Sequence, residues 1–176
     1  MEQVSVGQLL DRVQDRHEPV VRDRQITLVT EASPDAPIIF GDSKRIEQAV
    51  QNLVANAVRH TPATCRIWVR LGPSDGGAIL SVEDDGEGVP HDLRHAVFEP
   101  FRQGPSASPH SPGTGIGLSL VAKFAELHGG RAWVDERPGG GAAFRVFLPP
   151  APGTGLSGGG EQPSHRADDA ASAGAI

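Results

Sequence analysis

Ser43-Lys44-Arg45-Ile46-Glu47-Gln48-Ala49-Val50-Gln51-Asn52-Leu53-Val54-Ala55-Asn56-Ala57-Val58-Arg59-His60 is the stretch on which the reading of this chain turns. Ile46, Ala49, Val50, Leu53, Val54 and Ala57 fall at the spacing of one helical face. Asp42 or Ser43 supplies an N-cap, and Thr61-Pro62 stops the helix. Asn52 and Asn56 lie four residues apart, so they stack on one stripe, and Arg59 and His60 carry that stripe one turn further. Asparagine is a poor mid-helix residue because its amide competes for backbone partners. Two of them on one stripe therefore read as a site. An amide oxygen suits a hard cation such as Mg²⁺, and Arg59 or His60 can reach phosphate oxygens.

Working outward, Val6 to about Arg24 has amphipathic helical spacing, with Ser5 as N-cap and Pro19 expected to disturb the second half. Ile26–Val29 and Ile38–Phe40 read as strands. Arg66–Leu71 and Ala78–Val82 read as a pair around the turn 72–77. A short helix is expected near Asp92–Val97. Ile116–His128 reads as a helix ended by Gly129-Gly130, and Arg131–Asp135 with Ala143–Leu148 as a closing hairpin. The stretch from about 98 to 115 is rich in Pro, Ser and Gly, as a functional loop would be. Beyond Pro149-Pro150 the chain has too few apolar residues to order itself, so 151–176 is expected to be a disordered tail. Irregular alternation of helices and strands predicts an α+β fold, a two-layer α/β sandwich with a mixed sheet and helices on one face.

Two glycine-rich segments carry further chemistry. In Glu83-Asp84-Asp85-Gly86-Glu87-Gly88 a strand ends on a carboxylate and turns on glycines, which allow close approach of backbone to a ligand. The spacing lacks the alternating ligands of an EF-hand, so a calcium loop is rejected. In Gly113-Thr114-Gly115-Ile116-Gly117-Leu118 three glycines open a helix whose first N–H groups form an anion site. It follows no strand and lacks the Lys-Ser/Thr of a Walker A loop, so neither that motif nor a dinucleotide fingerprint applies.

Bulk properties narrow the classes. The 176 residues carry a formal charge of −6 with no basic run, against nucleic-acid binding. Hydrophobic residues are 38% of the chain, with 22 Gly and 15 Pro, which suits a folded body plus loose segments. Cys65, the lone cysteine, is expected to be a buried structural thiol in a reducing compartment. No run of about 18 apolar residues appears, and the start is not a signal peptide. The expectation is a cytoplasmic piece without direct membrane contact, whose parent protein can still be anchored.

Taken in order, these segments resemble the catalytic ATP-binding domain of bacterial sensor histidine kinases, of the GHKL superfamily with its Bergerat fold. Asn52 to Ala57 with Arg59-His60-Thr61-Pro62 resembles the N box. Asp84 to Gly88 resembles the first glycine box, Phe98-Glu99-Pro100-Phe101 the F box, and Gly113 to Leu118 the second glycine box. His128-Gly129-Gly130 and Gly141 to Pro149 resemble the family's C-terminal hairpin. The resemblance implies ATP and Mg²⁺ as cofactors. Asp84 would bind the adenine amino group, with Gly86 and Gly88 shaping that wall. Asn56 would be the main Mg²⁺ ligand, supported by Asn52. Asn52, Arg59 and His60 would sit at the reaction centre. Phe98 and Phe101 would anchor a lid at about 98–115, and Gly113, Thr114, Gly115, Ile116, Gly117 and Leu118 would close on the triphosphate. Related ATPases that hydrolyse ATP with water commonly carry Glu where Asn52 stands, so Asn52 favours phosphoryl transfer over hydrolysis.

The same resemblance divides the chain into a connector helix (1–24), the ATP-binding domain (25–150) and the tail (151–176). No histidine sits in a phosphoacceptor setting. His17-Glu18-Pro19 comes nearest, but Pro19 follows too closely, and His17 is expected to be a surface residue. The acceptor histidine would lie on a helical domain outside this chain, through which the protein dimerises, with a response regulator downstream. Alternatives on the same fold are an anti-sigma-type protein-serine kinase and a non-catalytic nucleotide-sensing module.

Overall fold

A computed structural model describes residues 2–35, 38–101 and 115–150. The lid stretch 102–114, with Gly113 and Thr114, and the expected tail 151–176 lie outside the described residues. The order is β1 (Glu2–Val4), α1 (Val6–Asp23), β2 (Thr27–Ala32), β3 (Ile39–Gly41), α2 (Ser43–His60), β4 (Arg66–Ser74), β5 (Gly77–Asp84), α3 (Gly117–Leu127), β6 (Arg131–Glu136) and β7 (Ala142–Leu148). Two 3₁₀ turns, His91–Leu93 and Ala96–Phe98, replace the short helix expected there.

Five strands form one sheet in the order β2-β4-β5-β7-β6. The β2–β4 pairing is parallel and the others antiparallel, so the sheet is mixed. Side chains alternate across a strand, and β4 shows why only one face is covered. Ile67, Val69 and Leu71 are buried, while Trp68 and Arg70 between them are partly open. The buried set joins Val82, Phe144, Val146 and Val134 beneath the helices. Leu9, Val13, Val50, Leu53, Val54 and Val121, each at most 1% exposed, close the core from the helical side. Each such side chain contributes about 1.5–3 kcal/mol by leaving water.

The open face is polar but ordered. Glu83, buried, pairs with Arg70 at 2.7 Å and with Arg137 at 3.7 Å. The Arg137 guanidinium lies 4.0 Å from the Trp68 ring centroid. Glu83 and Asp84 are consecutive in β5, so they point to opposite faces: Glu83 toward this arginine cluster, Asp84 toward the helices.

Local signals set several boundaries. Asp42 caps α2, accepting from Lys44 N at 3.0 Å and Arg45 N at 3.2 Å. Gly129 takes a φ of 72° after α3. The bonds Gly129 N to Glu126 O (3.0 Å) and Gly130 N to Ala125 O (2.8 Å) complete a Schellman cap. Elsewhere tertiary context overrides local preference. Helix α1 runs unbroken through Pro19, because its apolar face is clamped by Leu9, Leu10, Val13 and Val21 on the α2 side of the core. His17 is buried, not at the surface, and meets the Gln51 Oε1 of α2 at 2.7 Å. The strand β1, which carries no pattern of its own, pairs antiparallel with β3.

Candidate nucleotide site

The C-terminal end of α2 is held from outside the helix. Arg24 donates through Nη1 to the Val58 carbonyl and through Nη2 to the Thr61 carbonyl, the latter at 2.7 Å. A cation on the last carbonyls of a helix opposes the negative end of its dipole. This fixes the turn bearing Arg59 and His60, both exposed. His60 is pushed below the usual histidine range by desolvation, then by the Arg59 charge, and the Asp84 carboxylate partly opposes this. The end of α2 lies next to the end of β5: a Cβ on Gly86 would stand 2.9 Å from Asp84 Oδ1 and 3.8 Å from the Cα of Thr61, the residue after α2.

Asp84 is 7% exposed. The Gly86 N–H donates to its Oδ1 at 2.9 Å. Burial pushes its carboxyl above the usual aspartate range; backbone N–H groups of Gly86 and Ala142 pull it back, Asp85 raises it, and His60 lowers it. No ion pair to this carboxylate is found among the described residues. A buried acid held by backbone donors and lacking a cation has capacity for a further donor. Gly86 is needed here because a Cβ would stand 2.9 Å from Asp84 Oδ1 and 3.2 Å from Pro62 Cδ.

Gly141, quoted above only as part of the closing hairpin, is a wall of this site. Its φ is 100°, and an added Cβ would stand 1.8 Å from the Asp84 carbonyl oxygen. Gly88, φ 78°, faces the Gly141 carbonyl in turn, 3.1 Å from its own would-be Cβ. Arg137 holds the hairpin turn by receiving it on both sides: its N–H donates to Gly141 O at 3.0 Å, and its guanidinium pairs with Glu83, the residue before Asp84. A glycine run in the sequence was the only signal, and it does not say which backbone the glycine meets.

Helix α3 has no side-chain cap, and its N-cap residue is Ile116. Its first N–H groups therefore have no acceptor within the helix and carry the positive end of its dipole. Gly115, Ile116, Gly117 and Leu118 are all half-buried there. Gly117 lies against α2, where Asn52 Nδ2 donates to its carbonyl at 3.4 Å. Asn52 Oδ1 accepts from Gln48 at 2.9 Å. Asn56 is half-buried, and its amide has no partner among the described residues. Phe98 is half-buried and meets Phe144 edge-on at 6.1 Å. Phe101 is 76% exposed with φ 61°; its tie is through the backbone, N–H to Gly115 O at 3.0 Å. The structure thus brings Asn52 to Gly117 and the Thr61-Pro62 end of α2 to the Asp84 turn, and it separates the two phenylalanines into one packed ring and one open ring. Cys65 is half-buried, and its thiol is pushed up by desolvation and by Asp85.

Among the described residues no three His, Cys, Asp or Glu side chains converge as a cation site. The donor set fits Mg²⁺ in another form. A hard ion that keeps several waters needs one protein oxygen and phosphate oxygens, and the free Asn56 amide supplies the first.

The site thus joins a mixed sheet covered on one face, a buried acid at the end of β5 and the N-terminus of α3 packed against α2. Residues 41–152 match the family described as Histidine kinase-, DNA gyrase B-, and HSP90-like ATPase, and the chain belongs to it. Within that family its similarity is to sensor histidine kinases. It is 43% identical over 145 residues to the sensor-type histidine kinase PrrB of Mycobacterium leprae, covering 82% of this chain and 31% of that protein. The chain thus spans less than a third of that relative's length. Among solved structures, the mycobacterial sensor histidine kinase MprB aligns with TM-score 0.71 at 35% identity, covering 84% of this chain and 97% of that one. Full-length ShkA in complex with AMPPNP aligns with TM-score 0.73 at 30% identity, covering 84% of this chain and 30% of that one. The sequence resemblance and the α+β sandwich are borne out. Among the described residues no helix is long and apolar enough to cross a membrane.

Proposed function

We propose that this ATP-binding domain holds ATP–Mg²⁺ and passes the γ-phosphoryl group to a histidine on a helical acceptor domain. The observation that carries the nucleotide reading is Asp84: a buried carboxylate, fixed by the Gly86 N–H, with acceptor capacity left for a donor such as the adenine amino group. Asn56 offers its amide oxygen to Mg²⁺. The N-terminal amides of α3, with Arg59, meet the phosphates, and His60 flanks the base. When bound there, Mg²⁺ would supply charge neutralisation for the phosphates.

Catalysis of this kind is mostly positioning plus charge neutralisation. The chain supplies no carboxylate at the Asn52 position to activate water, which favours transfer over hydrolysis. The phosphate acceptor comes from a helical domain of the parent protein or of a separate chain. That domain would also make the dimer, and a response regulator would take the phosphoryl group onward.

The test mixes the chain with candidate acceptor helix bundles and γ-labelled ATP. Acid-labile label on the bundle supports the proposal. Acid-stable label would instead indicate a hydroxyl acceptor, and no ATP binding in titration would overturn the site itself.

A further inference from the structure

Asn52 and Asn56 look equivalent in the sequence, yet the structure uses them differently. The Gly117 carbonyl can only accept, so the Asn52 Nδ2 must face it, at 3.4 Å. That orientation turns Oδ1 back along α2, where the Gln48 Nε2 donates to it at 2.9 Å. The side chain is also in close register with α3: a Cβ on Gly117 would stand 3.8 Å from both Asn52 Cβ and Cγ. Both ends of the Asn52 amide are therefore engaged by protein, while Asn56 has no partner among the described residues.

We propose that Asn52 is a positioning strut between α2 and the first residue of α3, oriented by Gln48, and not a second ligand of the cation. The strut sets the spacing between the Asn56 amide and the uncapped N-terminal amides of α3. A triphosphate bound at one end by those amides and at the other through the cation requires that spacing to be fixed. Gln48 thereby becomes a residue of the site, although it is exposed and carries no glycine or charge signal. The inference rests on the nucleotide reading above only for its consequence; the strut itself is a property of the free protein.

The deciding variant is Asn52→Asp. Aspartate keeps an oxygen for a metal and loses the N–H that Gly117 accepts. A strut predicts that Asn52→Asp behaves like Asn52→Ala. In the nucleotide-free chain, exchange of the Leu120 amide, which bonds the Ile116 carbonyl at 3.0 Å at the start of α3, rises about two- to tenfold in both variants, the range for one lost neutral hydrogen bond. Gln48→Ala and Gln48→Glu, neither able to donate to Asn52 Oδ1, raise it about twofold, the scale of an exposed i,i+4 pair. Titration of ATP with and without Mg²⁺ then reads the consequence. Asn52→Asp and Asn52→Ala lose comparable affinity for Mg–ATP, whereas Asn56→Ala removes most of the gain that Mg²⁺ gives.

The strut is overturned if Asn52→Asp exchanges like the native chain at α3, or binds Mg–ATP as tightly as native while Asn52→Ala does not. Failure of the native chain to bind ATP would count against the proposed function, and the exchange measurement would still decide the strut.

Discussion

Gly141→Ala tests how the backbone wall beside Asp84 is built. The added methyl would stand 1.8 Å from the Asp84 carbonyl oxygen, 2.7 Å from its carbon and 2.9 Å from Asp85 Cα. None of these atoms belongs to a flexible side chain, so backbone must move. Two costs add. A non-glycine residue at φ 100° sits in a sparsely populated region, at about 1–3 kcal/mol. Forcing a methyl into closed space costs about 1–3 kcal/mol more. The sum, roughly 2–6 kcal/mol, is a large part of a domain's usual net stability of about 5–15 kcal/mol. At about 2–4 °C per kcal/mol, the melting temperature should fall by roughly 5–20 °C. Gly140→Ala is the control. Gly140 has the same φ of 100° but nothing within 4 Å of its would-be Cβ, so it carries the backbone cost without the collision. Where both variants are folded, titration with a fluorescent ATP analogue separates them. Gly141→Ala shifts Asp84 and loses a hydrogen bond to a charged group, about 1.5–3 kcal/mol or roughly 10- to 150-fold in affinity. Gly140→Ala binds like the native chain. Equal melting temperatures and equal affinities for the two variants would refute the close approach as the reason for glycine at position 141.

Two further predictions concern buried titrating groups. Asp84 has a raised folded-state pKa, so its contribution to stability is fully present below the unfolded value, about 3.9, and is lost as pH rises through the folded value. Asp84→Asn should therefore be at least as stable as the native chain at pH 7, measured by urea unfolding, while its ATP affinity falls at least tenfold; a variant both unstable and nucleotide-competent would contradict the assignment. His17 has a lowered pKa because burial penalises its charged form. Its stabilising contribution holds above the unfolded value, about 6.5, and is lost as pH falls through the folded value. His17→Ala leaves the buried Gln51 Oε1 unpaired and should cost about 1–3 kcal/mol. The double change His17→Leu with Gln51→Leu should recover most of that loss and flatten the acid slope; a double variant no better than the single one would show that the pair is not the source.

What the sequence alone determined is the set of features governed by local rules. A cap at Asp42 or Ser43, the apolar face of α2, the glycine cap after α3 and the closing hairpin follow from spacing, capping and φ preference within a few residues; the structure chose Asp42. The ordered boxes from Asn52 to Leu118 likewise identified the family. What only the tertiary structure decided are contacts between segments distant in the chain. Pro19 stays helical because α1 is packed along α2, which local propensity cannot register. His17 is buried because its partner, Gln51, lies 34 residues away. Gly141 packs on Asp84 because β7 pairs with β5 and brings the preceding turn onto its end. Two asparagines with one spacing part company because α3 begins against one of them: Asn52 is bonded at both ends of its amide, and Asn56 has no partner among the described residues.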